Sequence, residues 1–168
     1  MKKSLVLTGM MGVGKSTIGK ILSKKLRLQF IDIDKIIEKN QKKTINEIFQ
    51  TKGEVFFRNL EEKTTLKYIK KNNLIIALGG GAFMSLKIRD IILKNNRSFW
   101  LDTSLNSLKF RVKRKKTRPL LSDNINFNLK KIYGERKKIY RLANFKINCD
   151  KLGKNEIANR IVKLYEKD

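Results

Sequence analysis

A glycine-rich turn that carries a lysine and two hydroxyl side chains follows the first apolar run of the chain. Residues 9–17 read GMMGVGKST, which fits the pattern G-x-x-x-x-G-K-[ST]. Glycines at these positions let backbone N–H groups point inward at phosphate oxygens, and the helix that follows adds its positive N-terminal end. Lys15 is expected to reach the β- and γ-phosphates, and the Ser16 hydroxyl is expected to bind Mg²⁺. The pattern therefore predicts a nucleotide-phosphate site, a P-loop, formed by Gly12, Val13, Gly14, Lys15, Ser16 and Thr17; a glycine turn without a ligand is the alternative.

Two carboxylates stand close together at the end of the second apolar run. Asp32 and Asp34 are separated by one residue, so in a strand both side chains point to the same side. One of them is suited to the Mg²⁺ shell, and the other can accept a proton from a hydroxyl nucleophile or orient it. The alternative is a capping pair, with Asp34 as the N-cap of the next helix.

An arginine and a run of glycines are further candidates for ligand binding. Arg58 follows two phenylalanines, and an arginine among apolar neighbours often makes a bidentate contact with a carboxylate or phosphate. It can equally pair with Glu61 three residues on, and Glu61 can also orient it toward a ligand. Gly79, Gly80 and Gly81 follow a buried run, and ordering three glycines is costly, so they predict a close approach between backbone and ligand rather than a flexible loop.

The segment from about residue 111 to 126 is densely basic and then polar without a period. It begins RVKRKKTRPLL and continues SDNIN, which is typical of a mobile lid that brings positive charge over phosphates and excludes water. A solvated helix end and a nucleic-acid patch are the alternatives. Spacing alone does not select Arg136, and Cys149, at the end of an apolar run, is predicted to be a core residue.

Composition limits the remaining chemistry. The chain has 168 residues with 40% apolar content, which suits one domain, residues 1–168. One cysteine excludes an internal disulfide framework, and the absence of histidine excludes Ser-His-Asp triads and histidine-bound metals. The net charge of +25 is spread over the whole length and is explained by codon drift or by a polyanionic partner. No apolar run reaches the roughly 18–20 residues that a membrane span needs, so we expect a cytoplasmic protein.

Strands alternate with helices along the chain and must position these residues. Apolar runs predict strands at 4–8, 29–33, 74–78, 97–101 and 145–149. Helical spacing predicts helices at 17–26, 36–40, 45–50, 54–71, 86–94, 105–114, 128–141 and 156–165. This alternation predicts an α/β fold, a mainly parallel sheet covered on both faces, with ligands at the carboxyl ends of the strands.

Taken in order and spacing, these motifs resemble those of shikimate kinases, over about residues 4–165. The shared features are the P-loop, the D-x-D pair at 32–34, the FR helix that ends in two glutamates, the three glycines, RPLL at 118–121, and Arg136 with Tyr140. The resemblance implies a three-layer P-loop kinase fold with five parallel strands in the order 2-3-1-4-5. It also implies a monomer that uses ATP and Mg²⁺ to phosphorylate the 3-hydroxyl of shikimate, in aromatic amino-acid biosynthesis, with no role for a membrane or nucleic acid.

The same resemblance assigns roles to individual residues. Shikimate contacts fall on Asp34, Arg58, the glycines Gly79, Gly80 and Gly81, and Arg136, with the two arginines on its carboxylate. Ser16 and Asp32 serve Mg²⁺, Asp32 through water. Arg118 is the lid arginine that reaches the transferring phosphate, so Lys15, Asp34 and Arg118 are the expected catalytic residues. Arg111 stacks near the adenine.

Two positions depart from the family pattern. Met11 stands where the family commonly has proline, which makes the loop less rigid but keeps its N–H groups. Leu152 aligns with a polar or basic adenine contact, and the neighbouring Lys151 could replace it. Another small-molecule P-loop kinase, of the gluconate or nucleotide type, and a basic nucleic-acid-binding module are the rival functions.

Overall fold

Five apolar runs form one parallel sheet in the computed structural model, which describes residues 2–113 and 125–167. The strands are β1 (Leu5–Thr8), β2 (Gln29–Asp32), β3 (Leu74–Ala77), β4 (Arg97–Asp102) and β5 (Phe145–Asn148). Their order across the sheet is β2-β3-β1-β4-β5, and every neighbouring pair is parallel, as expected. Every residue of β1 and β3 is buried, and alternate side chains point to opposite faces, so both faces of the sheet centre are covered.

Helices pack on this sheet and supply the covering layers. In the described ranges they are α1 (Lys15–Leu26), α2 (Ile33–Gln41), α3 (Ile45–Ile69), α4 (Leu86–Asn95), α5 (Leu105–Lys113), α6 (Ile125–Tyr140) and α7 (Lys154–Glu166), with a short 3₁₀ helix at Ala82–Met84. Helix α1 packs against α7, α3 against α2 and α4, and α5 against α6. None of the helices formed by the described residues is long and apolar enough to cross a membrane.

Helix α3 contains a sharp bend that the sequence predicted as a gap between two helices. Gly53 lies inside it with φ 78° and ψ 171°, a conformation that side chains strongly disfavour, so the first two turns and the longer second part point in different directions. Thr44 caps its start by accepting the N–H of Glu47, whose carboxylate in turn accepts the N–H of Thr44. The bend separates the turns that line one wall of the site from the part that carries Arg58.

The start of α2 corrects the prediction for the two aspartates. Strand β2 ends at Asp32, which caps α2 by accepting the N–H of Lys35 at 3.3 Å. Asp34 therefore lies in the first helical turn; it is neither the cap nor part of a strand, so alternation along a strand was the wrong reason to group it with Asp32. The helices predicted from Thr17, Ile36, Asn128 and Glu156 begin two or three residues earlier.

The predicted lid falls mostly outside the described residues. Positions 111–113 end α5 and positions 125 and 126 begin α6. Arg118, and with it the prediction of a lid arginine, lies outside the described part of the chain.

Candidate active site

The P-loop connects the central strand β1 to α1 as the sequence predicts. Gly9, Gly12 and Gly14 all have positive φ, and a Cβ on Gly9 would lie 2.7 Å from the carbonyl oxygen of Leu101 in β4. Lys15 is the first residue of α1, and its buried Nζ donates to the carbonyls of Gly9 at 2.7 Å and Met10 at 3.0 Å. The loop therefore holds its lysine against its own backbone at the positive end of a helix, where phosphate binds.

Two oxygen ligands that suit a magnesium ion meet beside this loop. The Ser16 hydroxyl donates to Asp32 Oδ2 at 2.5 Å. Mg²⁺ prefers oxygen ligands and usually takes one or two from the protein, the rest from water and phosphate. The described residues contain no cluster of three or more acidic, histidine or cysteine side chains that could hold a metal alone. The residues present therefore fit Mg²⁺ bound together with a nucleotide.

A cavity of about 530 Å³ opens from the P-loop toward α2, α3 and α6. Besides Phe49, Phe57 and the carboxylates Glu38 and Glu61, its walls contain many of the predicted site residues, namely Met11, Ser16, Asp32, Asp34, Arg58, Gly80, Gly81 and Arg136. The phenylalanine rings flank the guanidinium of Arg58, whose central carbon lies 5.9 Å and 5.3 Å from their centres. The cavity thus has two aromatic rings, two arginines and four carboxylates beside a phosphate loop, which suits a small ligand that carries both a carboxylate and hydroxyl groups.

Glu61 is a buried carboxylate on the side of the cavity that contains Arg58 and Arg136, which we call the acid-binding side. The sequence predicts for Glu61 only a pairing with Arg58 that also orients this arginine. Its side chain is 3% exposed, and Oε2 accepts from Arg58 Nη1 at 2.6 Å. Arg58 also donates to Glu54 at 3.2 Å. Burial raises the pKa of Glu61 above its usual range, although the charges of Arg58, Arg136 and Lys15 act in the opposite direction. Arg58 thus pairs with Glu61, as one prediction has it, and still lines the cavity, where it can contact a ligand.

The three glycines after β3 leave room for the side chains of the site. A Cβ on Gly79 would lie 2.1 Å from Glu61 Oε1 and 2.7 Å from Asp34 Oδ1, so these two carboxylates are neighbours across the loop. A Cβ on Gly81 would lie 2.4 Å from Arg58 Nη1. The groups that come close to these glycines in this structure are the protein's own side chains, and the close approach of a ligand stays a prediction.

Helix α6 holds the same loop from the other side. Arg136 Nη1 donates to the Gly80 carbonyl at 3.0 Å, and the Tyr140 hydroxyl donates to the same oxygen. Tyr140 is buried against Phe83 and Trp100, with ring centres 6.4 Å and 6.2 Å away. Burial raises the pKa of Tyr140 to about 12, so the hydroxyl stays protonated and remains a donor. Arg136 is thereby placed in the cavity, whereas its spacing in the sequence gave no reason to choose it.

Fewer contacts support the predicted adenine-binding side of the site. Arg111, near the end of α5, donates to the carbonyl of Val13 at 3.2 Å, so it is anchored on the P-loop. Leu152 is partly buried against the core, and Lys151 is exposed. Cys149 is buried, and burial raises the pKa of its thiol to about 12, which agrees with a core residue.

Fold and site together define a small-molecule kinase of the P-loop class, because a nucleotide-phosphate loop opens directly into an acid-binding cavity. The family model described as shikimate kinase matches residues 11–166. A shikimate kinase of Sulfurihydrogenibium sp. (strain YO3AOP1) is 42% identical over 160 residues, 95% of this chain and 96% of that protein. One of Bartonella quintana (strain Toulouse) is 44% identical over 96% of this chain and 78% of its own. The chain belongs to the shikimate kinase family.

Solved structures agree with this assignment. The structure of a shikimate kinase from Acinetobacter baumannii in complex with shikimate superposes with a TM-score of 0.94 at 30% identity, covering 99% of this chain and 94% of that one. The enzyme from Aquifex aeolicus gives a TM-score of 0.85 at 30% identity, over 98% and 96% of the two chains. The predicted fold and strand order are confirmed.

Proposed function

We propose that this protein transfers the γ-phosphate of ATP to the 3-hydroxyl of shikimate, giving shikimate 3-phosphate and ADP. The observation that carries the proposal is the single cavity in which Ser16 of the P-loop, Asp34, Arg58 and Arg136 all stand. A phosphate donor held on the loop and a carboxylate held on the two arginines would lie in the same space. Family membership and the relative solved with shikimate support this substrate.

Charge and position give each side chain a role in this reaction. Arg58 and Arg136 bind the substrate carboxylate, since a planar guanidinium matches a carboxylate with two parallel donors. Asp34 orients the ring hydroxyls or accepts the proton of the attacking one. Lys15 leaves the loop carbonyls to neutralise charge on the transferring phosphate, and we assign Arg118 the same task from the predicted lid. Catalysis then consists of positioning and charge neutralisation.

We also propose that the reaction requires Mg²⁺. Ser16 and Asp32 would hold the ion, with Asp32 acting through water, and the ion would supply neutralisation of phosphate charge. We also propose that Arg111 packs near the adenine. The single domain of residues 1–168, the monomeric state and the cytoplasmic location stay predictions from the sequence.

The experiment that tests the function measures ADP release from Mg·ATP with shikimate, gluconate, AMP or CMP as the acceptor. We expect strong stimulation by shikimate alone. Asp34→Asn should abolish most of the stimulation, whereas Asp90→Asn, at an exposed position on α4, is the matched control and should keep it. Stimulation by gluconate or a nucleotide instead would assign the chain a different acceptor.

The alternative to an enzyme is a basic module that binds nucleic acid. It predicts no phosphoryl transfer to any acceptor and DNA binding that weakens steeply with salt. We favour the kinase because the cavity places both acidic and basic groups around a small volume, whereas a nucleic-acid surface needs an open basic face.

A further inference from the structure

The Gly80 carbonyl is held by two donors from one helix. Arg136 Nη1 donates to it at 3.0 Å, and the Tyr140 hydroxyl, one helical turn later, donates to the same oxygen. A carbonyl oxygen has two lone pairs, so both acceptor positions are filled from α6. The two side chains differ in how tightly they are packed. Tyr140 packs against the buried rings of Phe83 and Trp100, whereas Arg136 lines the open cavity.

In the reaction proposed above, Arg136 must also bind the substrate carboxylate. A guanidinium that binds a carboxylate bidentately uses two parallel N–H donors on one edge, so its orientation is set by the ligand. If Arg136 alone held the Gly80 carbonyl, binding the ligand would compete with holding the loop. Tyr140 makes no contact with the cavity's ligand space that would create such a conflict, since it does not line the cavity.

We propose that Tyr140 is a positioning residue for the acid-binding side of the cavity: its hydroxyl keeps the Gly80 carbonyl in place when Arg136 turns from that carbonyl to bind the substrate carboxylate. This inference rests on the proposed function. The glycine loop it fixes is the one against which Asp34, Glu61 and Arg58 pack within 2.7 Å of the Cβ positions of Gly79 and Gly81. A shift of the loop would therefore move the side chains that meet the substrate.

The same hydrogen bond sets the direction of a backbone donor. In a trans peptide the carbonyl of one residue and the N–H of the next point in opposite directions. Because the Gly80 carbonyl points to α6, the Gly81 N–H points away from α6. Tyr140 thus fixes the orientation of a donor in the loop as well as its position.

Tyr140→Phe tests the inference, because it keeps the ring and removes only the hydroxyl. We expect the KM for shikimate, and its dissociation constant measured calorimetrically without ATP, to rise about fivefold to tenfold, the effect of one lost hydrogen bond. The KM for ATP should stay within twofold, and kcat should fall by less than about threefold. Tyr165→Phe is the matched control, since the Tyr165 hydroxyl, on α7, also donates to a carbonyl, that of Lys3, at 2.7 Å.

The control separates positioning from general stability. Both variants lose one hydroxyl-to-carbonyl bond, so their melting temperatures should fall by similar amounts, but only Tyr140→Phe should weaken shikimate binding. Equal shikimate constants in Tyr140→Phe and wild type, or an equal change in both variants, would refute the inference while leaving the proposed function standing. A wild-type protein that binds ATP but does not phosphorylate shikimate would refute the proposed function, and the inference with it.

Discussion

Replacing Gly79 with alanine should damage the acid-binding side of the site far more than the fold. The added Cβ would lie 2.1 Å from Glu61 Oε1 and 2.7 Å from Asp34 Oδ1. An unstrained carbon–oxygen contact is about 3.3 Å or longer, so the Glu61 carboxylate must retreat by roughly 1 Å. A displacement of that size away from Arg58 removes the 2.6 Å hydrogen bond of their ion pair. Alanine at position 79 therefore disturbs Glu61 together with Asp34 and Arg58, the two neighbours that we propose as substrate contacts.

The energetic cost follows from the exposure of that pair. Breaking a fully buried ion pair costs about 3–5 kcal/mol, but Arg58 is 29% exposed, so solvent screening reduces the figure to about 2 kcal/mol. Reduced entropy of the unfolded chain offsets about 0.5 kcal/mol. For a chain of this length we expect the melting temperature to fall by roughly 3–6 °C. The KM for shikimate should rise by roughly ten- to a hundredfold, at about 1.4 kcal/mol per factor of ten.

Steady-state kinetics with shikimate varied at saturating ATP, together with thermal unfolding, measure both effects. Gly134→Ala is the matched control: it lies within α6, a Cβ there meets nothing within 4 Å, and alanine is the better helix former. That variant should melt slightly higher and keep its KM. A Gly79→Ala enzyme with a shikimate KM within twofold of wild type would refute the reasoning about carboxylate crowding.

Three further predictions concern the arginine, the phosphate side and the cysteine. Arg58→Lys should raise the KM for shikimate at least tenfold with little change for ATP, because a lysine cannot offer two parallel donors; Arg89→Lys, on α4, is its control. Lys15→Ala should lower kcat by roughly 10²–10³, measured in single-turnover experiments, and chelation of Mg²⁺ should abolish turnover reversibly. Burial raises the pKa of Cys149 to about 12 from an ordinary 9.0, so its stabilising effect is complete below pH 9 and is lost as the pH rises toward 12. Urea midpoints between pH 9 and 12 should therefore fall less steeply in Cys149→Ala than in wild type.

Each of these has a clear contrary result. An unchanged shikimate KM in Arg58→Lys would remove that arginine from the carboxylate site. Normal single-turnover rates in Lys15→Ala would show that the lysine does not act on the transferring phosphate. Parallel pH profiles for wild type and Cys149→Ala would mean that the thiol ionises alike in the folded and unfolded states.

The phosphate loop could be predicted from sequence because its motif is contiguous and the hydrogen bonds of its lysine are local. Lys15 bonds to carbonyls only five and six residues away, and Ser16 meets an aspartate sixteen residues on. A motif of nine residues therefore contains most of the information about its own geometry. The strand order, by contrast, came only with the family resemblance, since periodicity identifies strands but not their neighbours.

The acid-binding side could be predicted only in part, because its partners are far apart in the chain. Alternation along a strand does not account for the position of Asp34, since the strand ends at Asp32 and a helix begins at once. Glu61 and Tyr140 received no site role of their own, because a buried carboxylate or hydroxyl has the same local signature as an ordinary helix residue. Their importance appears only when the glycine loop is seen between them.

The attachment of α6 to the glycine loop also has a consequence for the order of folding. The bonds of Arg136 and Tyr140 to Gly80 join residues 56 and 60 positions apart, whereas the lysine of the phosphate loop bonds within six positions. Contacts between distant residues form late, because closing a long loop costs conformational entropy before the contact can stabilise the chain. A chain still being synthesised would complete its acid pocket only after residue 140 had emerged.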